Sequence, residues 1–326
     1  MKAIQHSRFG GPDVLEVVDL PTPMPQAGQV LIRVHAAGIN FFEVLMRADR
    51  YAVTPQLPMI PGVEAAGVVE AVEQGVDEAL LGTRVAAPLF VSQRPHSGYA
   101  EQVTLSADLV VPLPDALPFE DATALMVQGL TALHLLRQSP PRGKLVLVPA
   151  AAGGVGSLLL QLAKLKGASR VIAASGGKAK LDFASSLGAD AAVDYSQPDW
   201  PARIRDVTGG EGADIIYDTV GGALTAASLQ TLALGGELVF AAPGRYALAA
   251  SDLKAMIGRN QSLRGFALLP LLSPAVLKAS LSELFQLAAS GRLQVAIGGR
   301  FPLDRASEAH RLLDERRSTG KVVLVP

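Results

Sequence analysis

Residues 148–156 read VPAAAGGVG, and this short stretch decides the fold. It follows the apolar run 144–148, which is typical of a buried strand, and leads into 155–166, where leucines recur at helical spacing. Its small residues form an A-x-x-G-x-x-G pattern on Ala150, Gly153 and Gly156. Between a strand and a helix, such a loop lets backbone N–H groups approach a pyrophosphate at the helix N-terminus. The pattern predicts a dinucleotide-binding loop, and the alternative is a merely close-packed turn. The residues expected to contact the dinucleotide here are Ala151, Gly153, Gly154, Val155 and Gly156.

The pattern of the chain differs on the two sides of this loop. From about residue 122 to 264, apolar runs of strand length alternate with helical patterns, which predicts six parallel strands in a doubly wound α/β sheet of the Rossmann type. Residues 1–121 contain short β-rich runs separated by Gly and Pro, typical of a compact antiparallel or barrel-like unit. Among the elements predicted for the central region are strands 144–148, 170–174, 191–193, 214–217 and 236–241, and helices 155–166, 178–187, 200–208 and 222–232.

Length, charge balance and cysteine content limit the number of domains and the kinds of molecule that the protein binds. A chain of 326 residues is longer than a single hydrophobic core usually supports, so two domains are expected. With 29 basic and 30 acidic residues and no run of like charges, the chain's charge argues against nucleic acid or an anionic membrane as the main partner and favours a small molecule. There is no cysteine, which excludes disulfides, thiolate nucleophiles and cysteine-ligated metals. The N-terminus lacks the apolar core of a signal peptide and no stretch approaches the ~20 apolar residues of a membrane span, so a cytoplasmic location is expected.

The end of the second central strand selects between the two nicotinamide dinucleotides. An acidic residue there would bind the ribose 2′-hydroxyl of NAD. Residues 173–180 read AASGGKAK and contain no acid; Ser175 and Gly176 offer a hydroxyl and an open backbone, and Lys178 and Lys180 offer positive charge. These groups favour the 2′-phosphate of NADPH. The alternative is that both lysines are simply solvated residues of the following helix.

Seven stretches in order carry a resemblance to a known family. The chain resembles the zinc-free quinone oxidoreductases related to zeta-crystallin, within the medium-chain dehydrogenase/reductase superfamily. The resemblance implies a GroES-like catalytic domain from residues 1–121, completed by the tail 265–326, together with a Rossmann NADPH-binding domain over 122–264. It also implies a homodimer, for which strand 236–241 is the expected sheet edge; the apolar segment 266–272 is expected either to support that contact or to form a buried hinge. The stretches are AAGINFFEVLMRADRY (36–51), PGVEAAGVVEAV (61–72), QGLTALHLL (128–136), AAAGGVG (150–156), LGADAAVDY (187–195), YDTVGG (217–222) and STGKVVLVP (318–326).

The resemblance also implies the absence of a catalytic zinc. Zinc-dependent members of the superfamily use a cysteine near the position of Asn40 and a histidine within the stretch 62–64, where Val63 stands here. Without these ligands, Lewis-acid polarisation of an alcohol is not expected. The five histidines are expected to be scattered surface or core residues.

Several cofactor contacts follow from the resemblance, residue by residue. Lys180 and Tyr195 are expected to embrace the 2′-phosphate, with Gly176 giving it backbone access. Thr131 alternatively caps or packs within a helix, and Arg316 alternatively belongs to a solvated arginine pair. The residues expected near the nicotinamide half or the phosphates are Asn40, Thr131, Thr219, Arg264 and Arg316.

The expected chemistry is direct hydride transfer from the nicotinamide to a quinone or an α,β-unsaturated carbonyl, with the protein supplying orientation and electrostatics. Asn40 and Tyr51 are the expected catalytic residues, Tyr51 as proton donor. Tyr51 is alternatively an aromatic lid, and solvent also suffices to protonate a reduced quinone. Leu45 replaces a second tyrosine of some relatives, which predicts a more apolar pocket.

Three functions therefore remain open at the level of sequence. The first is an NADPH-dependent quinone oxidoreductase acting without zinc. The second is an NADPH-dependent enoyl or double-bond reductase on the same scaffold. The third is a non-catalytic NADPH-binding protein; the balanced charge argues against an RNA-binding role of that kind.

Overall fold

The computed structural model describes residues 1–92, 96–245 and 247–326. The chain divides into two compact units. The first comprises Met1–Leu130 together with Leu269–Pro326, and the second comprises Thr131–Leu268. Among the described residues, no helix is both long and apolar enough to cross a membrane.

The first unit is built on a mainly antiparallel sheet with the strand order β14-β15-β3-β4-β5-β7, in which β6 also pairs with β3; β1 and β2 form a separate hairpin-like pair. The C-terminal strand β15 pairs antiparallel with β3, which places the end of the chain in the first unit. The strands of this unit are β1 (Lys2–Gln5), β2 (Glu16–Asp19), β3 (Gln29–Ile39), β4 (Ala65–Val72), β5 (Arg84–Ala87), β6 (Gln102–Ser106), β7 (Val111–Pro112), β14 (Ile297–Pro302) and β15 (Lys321–Val325).

Strand β3 organises this unit because it pairs with three other strands. Most of its residues are apolar and buried, and Arg33 is exposed. Its register against β4 shifts twice, between Leu31 and Ile32 and between Val34 and Ala36. Such irregularities bend a strand and increase its twist. The bend lets one strand contact β4, β6 and β15.

The second unit contains the predicted doubly wound parallel sheet. All six strands are parallel, in the order β10-β9-β8-β11-β12-β13, and the order reverses between β8 and β11. In such sheets ligands bind at the carboxyl ends of the strands beside that reversal. The glycine-rich loop follows β8 and therefore lies at this edge. The strands are β8 (Leu145–Pro149), β9 (Arg170–Ser175), β10 (Ala191–Asp194), β11 (Ala213–Asp218), β12 (Leu232–Phe240) and β13 (Ser262–Gly265).

The helices connect these strands and cover their faces. A π turn at Leu125–Gly129 follows α2 and leads directly into α3. The helices are α1 (Phe41–Arg47), α2 (Phe119–Ala124), α3 (Leu130–Gln138), α4 (Gly154–Leu165), α5 (Lys178–Ser186), α6 (Trp200–Val207), α7 (Ala223–Leu229), α8 (Ala250–Ile257), α9 (Pro274–Ala289) and α10 (Ala306–Asp314).

The predicted edge of the parallel sheet is wrong. The stretch 236–241 lies within β12, which begins at Leu232, and β13 pairs with it on the outer side, with Gly265 opposite Phe240. Strand β13 has only four residues, SLRG, and all are exposed. A strand this short and polar lacks the apolar run by which a buried parallel strand is recognised. The helix predicted over 222–232 also ends earlier, at Leu229.

Candidate cofactor and active site

The glycine-rich loop joins β8 to α4 in the second unit. Ala150 has φ +51°, in the left-handed region, and its carbonyl accepts a hydrogen bond from the Gly153 N–H at 2.8 Å. A Cβ at Gly156 would lie 2.3 Å from that carbonyl oxygen, so a side chain there would displace the loop. Gly153 is the N-cap of α4, and the first N–H groups of a helix have no acceptor within it. The loop therefore fits a diphosphate, because it offers N–H groups that lack a helical acceptor and the positive end of a helix dipole.

The carboxyl end of β9 is tied to this loop. Ser175 is buried, and its hydroxyl oxygen accepts a hydrogen bond from the Ala152 N–H at 3.1 Å. The N–H of Ala151 also donates to the carbonyl of Ala174, at 3.2 Å. Ser175 thus supports the shape of the loop, and the phosphate contact predicted for its hydroxyl stays a prediction.

The groups predicted to bind the 2′-phosphate lie around the start of α5. The ring of Tyr195 lies beside Gly176, where a Cβ would be 3.6 Å from its Cε2 atom. Lys178 is exposed and paired with Asp182 one turn along the same helix, Nζ to Oδ2 2.7 Å. Lys180 is partly buried. Residues two positions apart on a helix are rotated by about 200° around its axis, so the two lysines point to different sides. Lys178 therefore has a carboxylate partner on its own helix, and the phosphate contact of Lys180 stays a prediction.

A second turn at the same sheet edge follows β11, and sequence reasoning missed the residue that organises it. Asp218 is fully buried. Its Oδ1 atom accepts hydrogen bonds from the N–H groups of Val220 at 2.8 Å and Gly221 at 2.9 Å, and its Oδ2 atom accepts the hydroxyl of Thr225. Thr219, a predicted cofactor contact, lies inside this turn. The DTVGG pattern, an acid before two glycines at a strand end, was the available signal.

Three further predicted contacts occupy different environments. Thr131 is partly buried in the first turn of α3. Arg264 lies on β13, where its Nη1 atom donates to the Gln138 carbonyl at 2.9 Å and lies 3.5 Å from Glu237 Oε1. Arg316 is exposed just after α10 with φ +53°. Arg264 therefore already has protein partners, and the cofactor contacts of all three stay predictions.

The expected proton donor, Tyr51, lies in the loop after α1. It is partly buried, and its ring packs on that of Phe42 with the centroids 5.4 Å apart. This contact fits the alternative of an aromatic lid as well as that of a positioned acid. Leu45 is partly buried on α1. The proton-donor role of Tyr51 stays a prediction.

The other expected catalytic residue, Asn40, belongs to a buried polar cluster of the first unit. It is the N-cap of α1 and 2% exposed. Its Nδ2 atom donates to Glu64 Oε1 at 2.8 Å, and its Oδ1 atom accepts from Lys321 Nζ at 2.9 Å. Its backbone N–H donates to Glu43 Oε2 at 2.7 Å. Because both polar atoms of its side chain have partners, Asn40 holds the cluster together, and a catalytic contact stays a prediction.

The cluster contains the carboxyl groups of two glutamates and one ammonium, all removed from water. Glu64 and Lys321 are each fully buried and form an ion pair. Burial raises the pKa of Glu43 to about 8, the charge of Glu64 adds to that rise, and hydrogen bonds from Asn40 and the charge of Lys321 oppose it. Sequence reasoning missed all three residues. The available signal was a charged residue inside each of three otherwise apolar stretches.

These residues do not fit the zinc ion used elsewhere in the superfamily. The two zinc-ligand positions, Asn40 and the stretch 62–64, do lie together here. They offer an amide, the apolar Val63 and a carboxylate already paired with Lys321. An ammonium 2.9 Å from the amide oxygen repels any second cation placed there. Within residues 1–92, 96–245 and 247–326, no three His, Cys, Asp or Glu side chains gather to hold a metal.

A second buried polar group joins α1 to α10. Arg47 donates to His310 Nδ1 at 3.2 Å and to Asp314 Oδ2 at 2.7 Å. Because arginine only donates, Nδ1 of His310 accepts, and its Nε2–H donates to the Tyr99 hydroxyl at 3.1 Å. Burial, with the charge of Arg47, lowers the pKa of His310 to about 3, so it is neutral. His310 is thus a core residue with structural partners.

Comparison with known proteins gives matches over the length of the chain. Two family models match the chain, an alcohol dehydrogenase GroES-like domain over residues 26–115 and a zinc-binding dehydrogenase over residues 187–324. The quinone oxidoreductase of Pseudomonas aeruginosa is 35% identical over 332 residues, covering 100% of this chain and 99% of the relative. A 2-haloacrylate reductase of Burkholderia is 33% identical, covering 100% and 99%. The crystal structure of Escherichia coli quinone oxidoreductase complexed with NADPH matches with a TM-score of 0.91 at 31% identity, covering 100% of both chains.

The similarity extends over the whole length of the chain and includes both units. It confirms the resemblance drawn from the seven sequence stretches and the α/β fold with a GroES-like part. The name of one family model mentions zinc, but the side chains found here at the zinc-ligand positions do not fit a zinc ion. The chain belongs to the quinone oxidoreductase family of medium-chain dehydrogenases/reductases.

Proposed function

We propose that the chain is an NADPH-dependent quinone oxidoreductase that works without a metal. The single observation that carries this proposal is the loop at Gly156, where a Cβ would meet the Ala150 carbonyl oxygen at 2.3 Å. A backbone packed this closely, ahead of a helix N-terminus and at the reversal of a parallel sheet, is what a dinucleotide diphosphate requires. Family membership adds the reaction: the relatives at 30–35% identity include quinone oxidoreductases from bacteria and mammals.

The protein's part in the reaction is binding and orientation. The N–H groups at the start of α4 bind the diphosphate, and Lys180, Tyr195 and the backbone at Gly176 bind the 2′-phosphate. The turn held by Asp218 fixes Thr219. When bound, NADPH supplies a hydride to an electron-poor acceptor.

The acceptor is a quinone or a related electron-poor carbonyl compound. Hydride addition leaves negative charge on an oxygen, which a nearby donor stabilises or protonates. We propose Tyr51 as that donor for substrates that need a positioned acid. A hydroquinone anion is protonated by water, so quinone reduction does not depend on the tyrosine.

A panel of acceptors tests the function and Tyr51 together. Wild type is expected to oxidise NADPH rapidly with benzoquinones and more slowly with enones and enoyl thioesters, followed at the NADPH absorbance band. Tyr51→Phe should leave quinone turnover within about twofold and reduce enone turnover by about 100-fold, the usual size of a general-acid contribution. Quinone turnover is the internal control for folding. Faster turnover of enones than quinones by wild type favours the double-bond reductase, an alternative supported by the 2-haloacrylate reductase relative. No oxidation with any acceptor favours a non-catalytic NADPH-binding protein.

Lys180→Ala tests the choice of cofactor. We expect the Kd for NADPH to rise about tenfold to 100-fold and the Kd for NADH to change little, because only NADPH carries the phosphate that an ammonium would bind. Calorimetric titration of both dinucleotides measures this. The matched control is Lys178→Ala, whose ammonium is paired with Asp182. Equal losses for NADPH and NADH in Lys180→Ala would show that this lysine does not recognise the phosphate.

We further propose that the chain is a homodimer with a cytoplasmic location. The support for the dimer is β13, an outer strand whose four residues are exposed, preceded in the chain by α8 with Ile257 79% exposed. An uncovered strand edge beside apolar side chains pairs readily with a second copy. Sedimentation velocity should give a dimer for wild type and a shift to monomer for Leu263→Lys; a wild-type monomer contradicts the proposal. Cell fractionation tests the location.

A further inference from the structure

The ammonium of Lys321 lies at the centre of the buried cluster of the first unit. Its side chain has no exposure to water, and its Nζ atom donates to Glu64 Oε1 and, at 2.9 Å, to Asn40 Oδ1. A lysine is almost never fully buried unless paired, because removing its charge from water is costly. The pair is separated by 257 residues of sequence, so the last strand of the chain supplies the cation.

The far oxygen of Glu64 reaches the π turn. Glu64 Oε2 accepts a hydrogen bond from the Val127 N–H at 2.8 Å. A π turn widens the helix by one residue, and such turns occur frequently at functional sites. The turn leads along the chain into Thr131, which the family resemblance places near the nicotinamide. One carboxylate therefore connects the cation to the backbone of this turn.

The backbone of β3 leaves space for this arrangement. A Cβ at Gly38 would lie 2.4 Å from Glu64 Oε1 and 2.7 Å from Lys321 Cε. A glycine at this position is required for the two side chains to meet. The ion pair is therefore packed in place, with little room for Glu64 to adopt another position.

We propose that Lys321 is the fixed cation of this site, placed among the positions that carry zinc ligands in the zinc-dependent relatives, and that it is a positioning residue. By holding Glu64, it keeps the Val127 amide and the π turn in one place. The cation is covalently part of the chain, so the site needs no metal to neutralise Glu64. The inference extends the proposed function, and only its kinetic readout rests on that function.

The test compares Lys321→Met with wild type, with Lys278→Met, an exposed lysine of the same unit, as the matched control. Lys321→Met leaves Glu64 buried without its cation, so the unfolding equilibrium constant should rise by about 100-fold or more. Under native conditions the Val127 amide should exchange with deuterium about tenfold faster, as expected for a lost hydrogen bond, while the amides of α4 keep their protection.

With quinone as acceptor, kcat should fall while KM for NADPH changes little, because the glycine loop and Lys180 belong to the second unit. If the Val127 amide of Lys321→Met exchanges with deuterium at the wild-type rate, the positioning role of Lys321 is overturned. Lost exchange protection without a fall in kcat overturns only the proposed link to turnover.

A double variant keeps the test decisive if Lys321→Met does not fold. The double variant Lys321→Met with Glu64→Gln buries no unpaired charge. Its loss of unfolding free energy should therefore be smaller than the sum of the losses in the two single variants. The Val127 amide of the double variant should still exchange with deuterium faster than in wild type, because a side-chain amide that Lys321 no longer holds replaces the Glu64 carboxylate. Wild-type protection of Val127 in the double variant overturns the inference.

Binding of zinc chloride tests whether Lys321 takes the place of a metal ion in this cluster. Wild type dialysed against zinc chloride should retain no stoichiometric zinc by elemental analysis, because the ammonium already occupies the donor atoms. One zinc ion per chain, lost on Glu64→Gln, would overturn the assignment of Lys321 as the cation.

Discussion

Gly156→Val is expected to lower the affinity for NADPH by about 100-fold or more while the chain stays folded, a loss of about 3 kcal/mol of binding free energy. A Cβ at this position would lie 2.3 Å from the Ala150 carbonyl oxygen and 2.8 Å from the Ala151 Cα. The loop must move away from α4 to admit a side chain. If the backbone of that loop binds the diphosphate, as proposed, the displacement removes several hydrogen bonds together. Calorimetric titration with NADPH measures the loss.

A second glycine of the same unit provides the control. A Cβ at Gly258, at the end of α8, would meet only ordinary contacts at 3.6 and 3.8 Å. Gly258→Ala should therefore bind NADPH as wild type does. Circular dichroism shows whether Gly156→Val remains folded. A folded Gly156→Val that binds NADPH with wild-type affinity would show that the loop does not hold the diphosphate.

Asp218→Ala is expected to lower the free energy of unfolding by about 3 kcal/mol, because it leaves one buried N–H group, one partly buried N–H group and one buried hydroxyl without their acceptor. The donors are those of Val220, Gly221 and Thr225. The turn that holds Thr219 should loosen, so the affinity for NADPH should also fall. Urea denaturation measures the first effect and titration with NADPH the second.

Asp182→Ala is the matched control for this carboxylate. Asp182 is exposed and pairs with Lys178 on the surface of α5, where an ion pair contributes about 0.5 kcal/mol at most. A loss as small as this in Asp218→Ala would mean that the buried hydrogen bonds do not stabilise the turn.

The sequence predicted well what depends on local pattern. Apolar strand runs and helical spacing identified most strands of the parallel sheet, because strands buried on both faces are continuously apolar. The small residues at 150–156 identified the loop, because a close backbone approach excludes side chains. Strand β13 was missed because it is short, polar and exposed, and only its pairing with β12 defines it.

The buried charges could not be predicted in the same way. Glu64 and Lys321 are polar residues, and without a known partner a polar residue is expected at the surface. Their pairing depends on tertiary structure, since the hydrogen bond from Lys321 to Asn40 joins residues 281 positions apart. Asp218 was closer to prediction, because its partners are local, within seven residues along the chain.

The central claim is that the loop after β8 holds the diphosphate of NADPH. Isothermal titration calorimetry of the purified chain with NADPH tests it most directly. The account predicts saturable binding of one NADPH per chain, about tenfold to 100-fold tighter than NADH. A correctly folded chain that shows no saturable binding of either dinucleotide would contradict it.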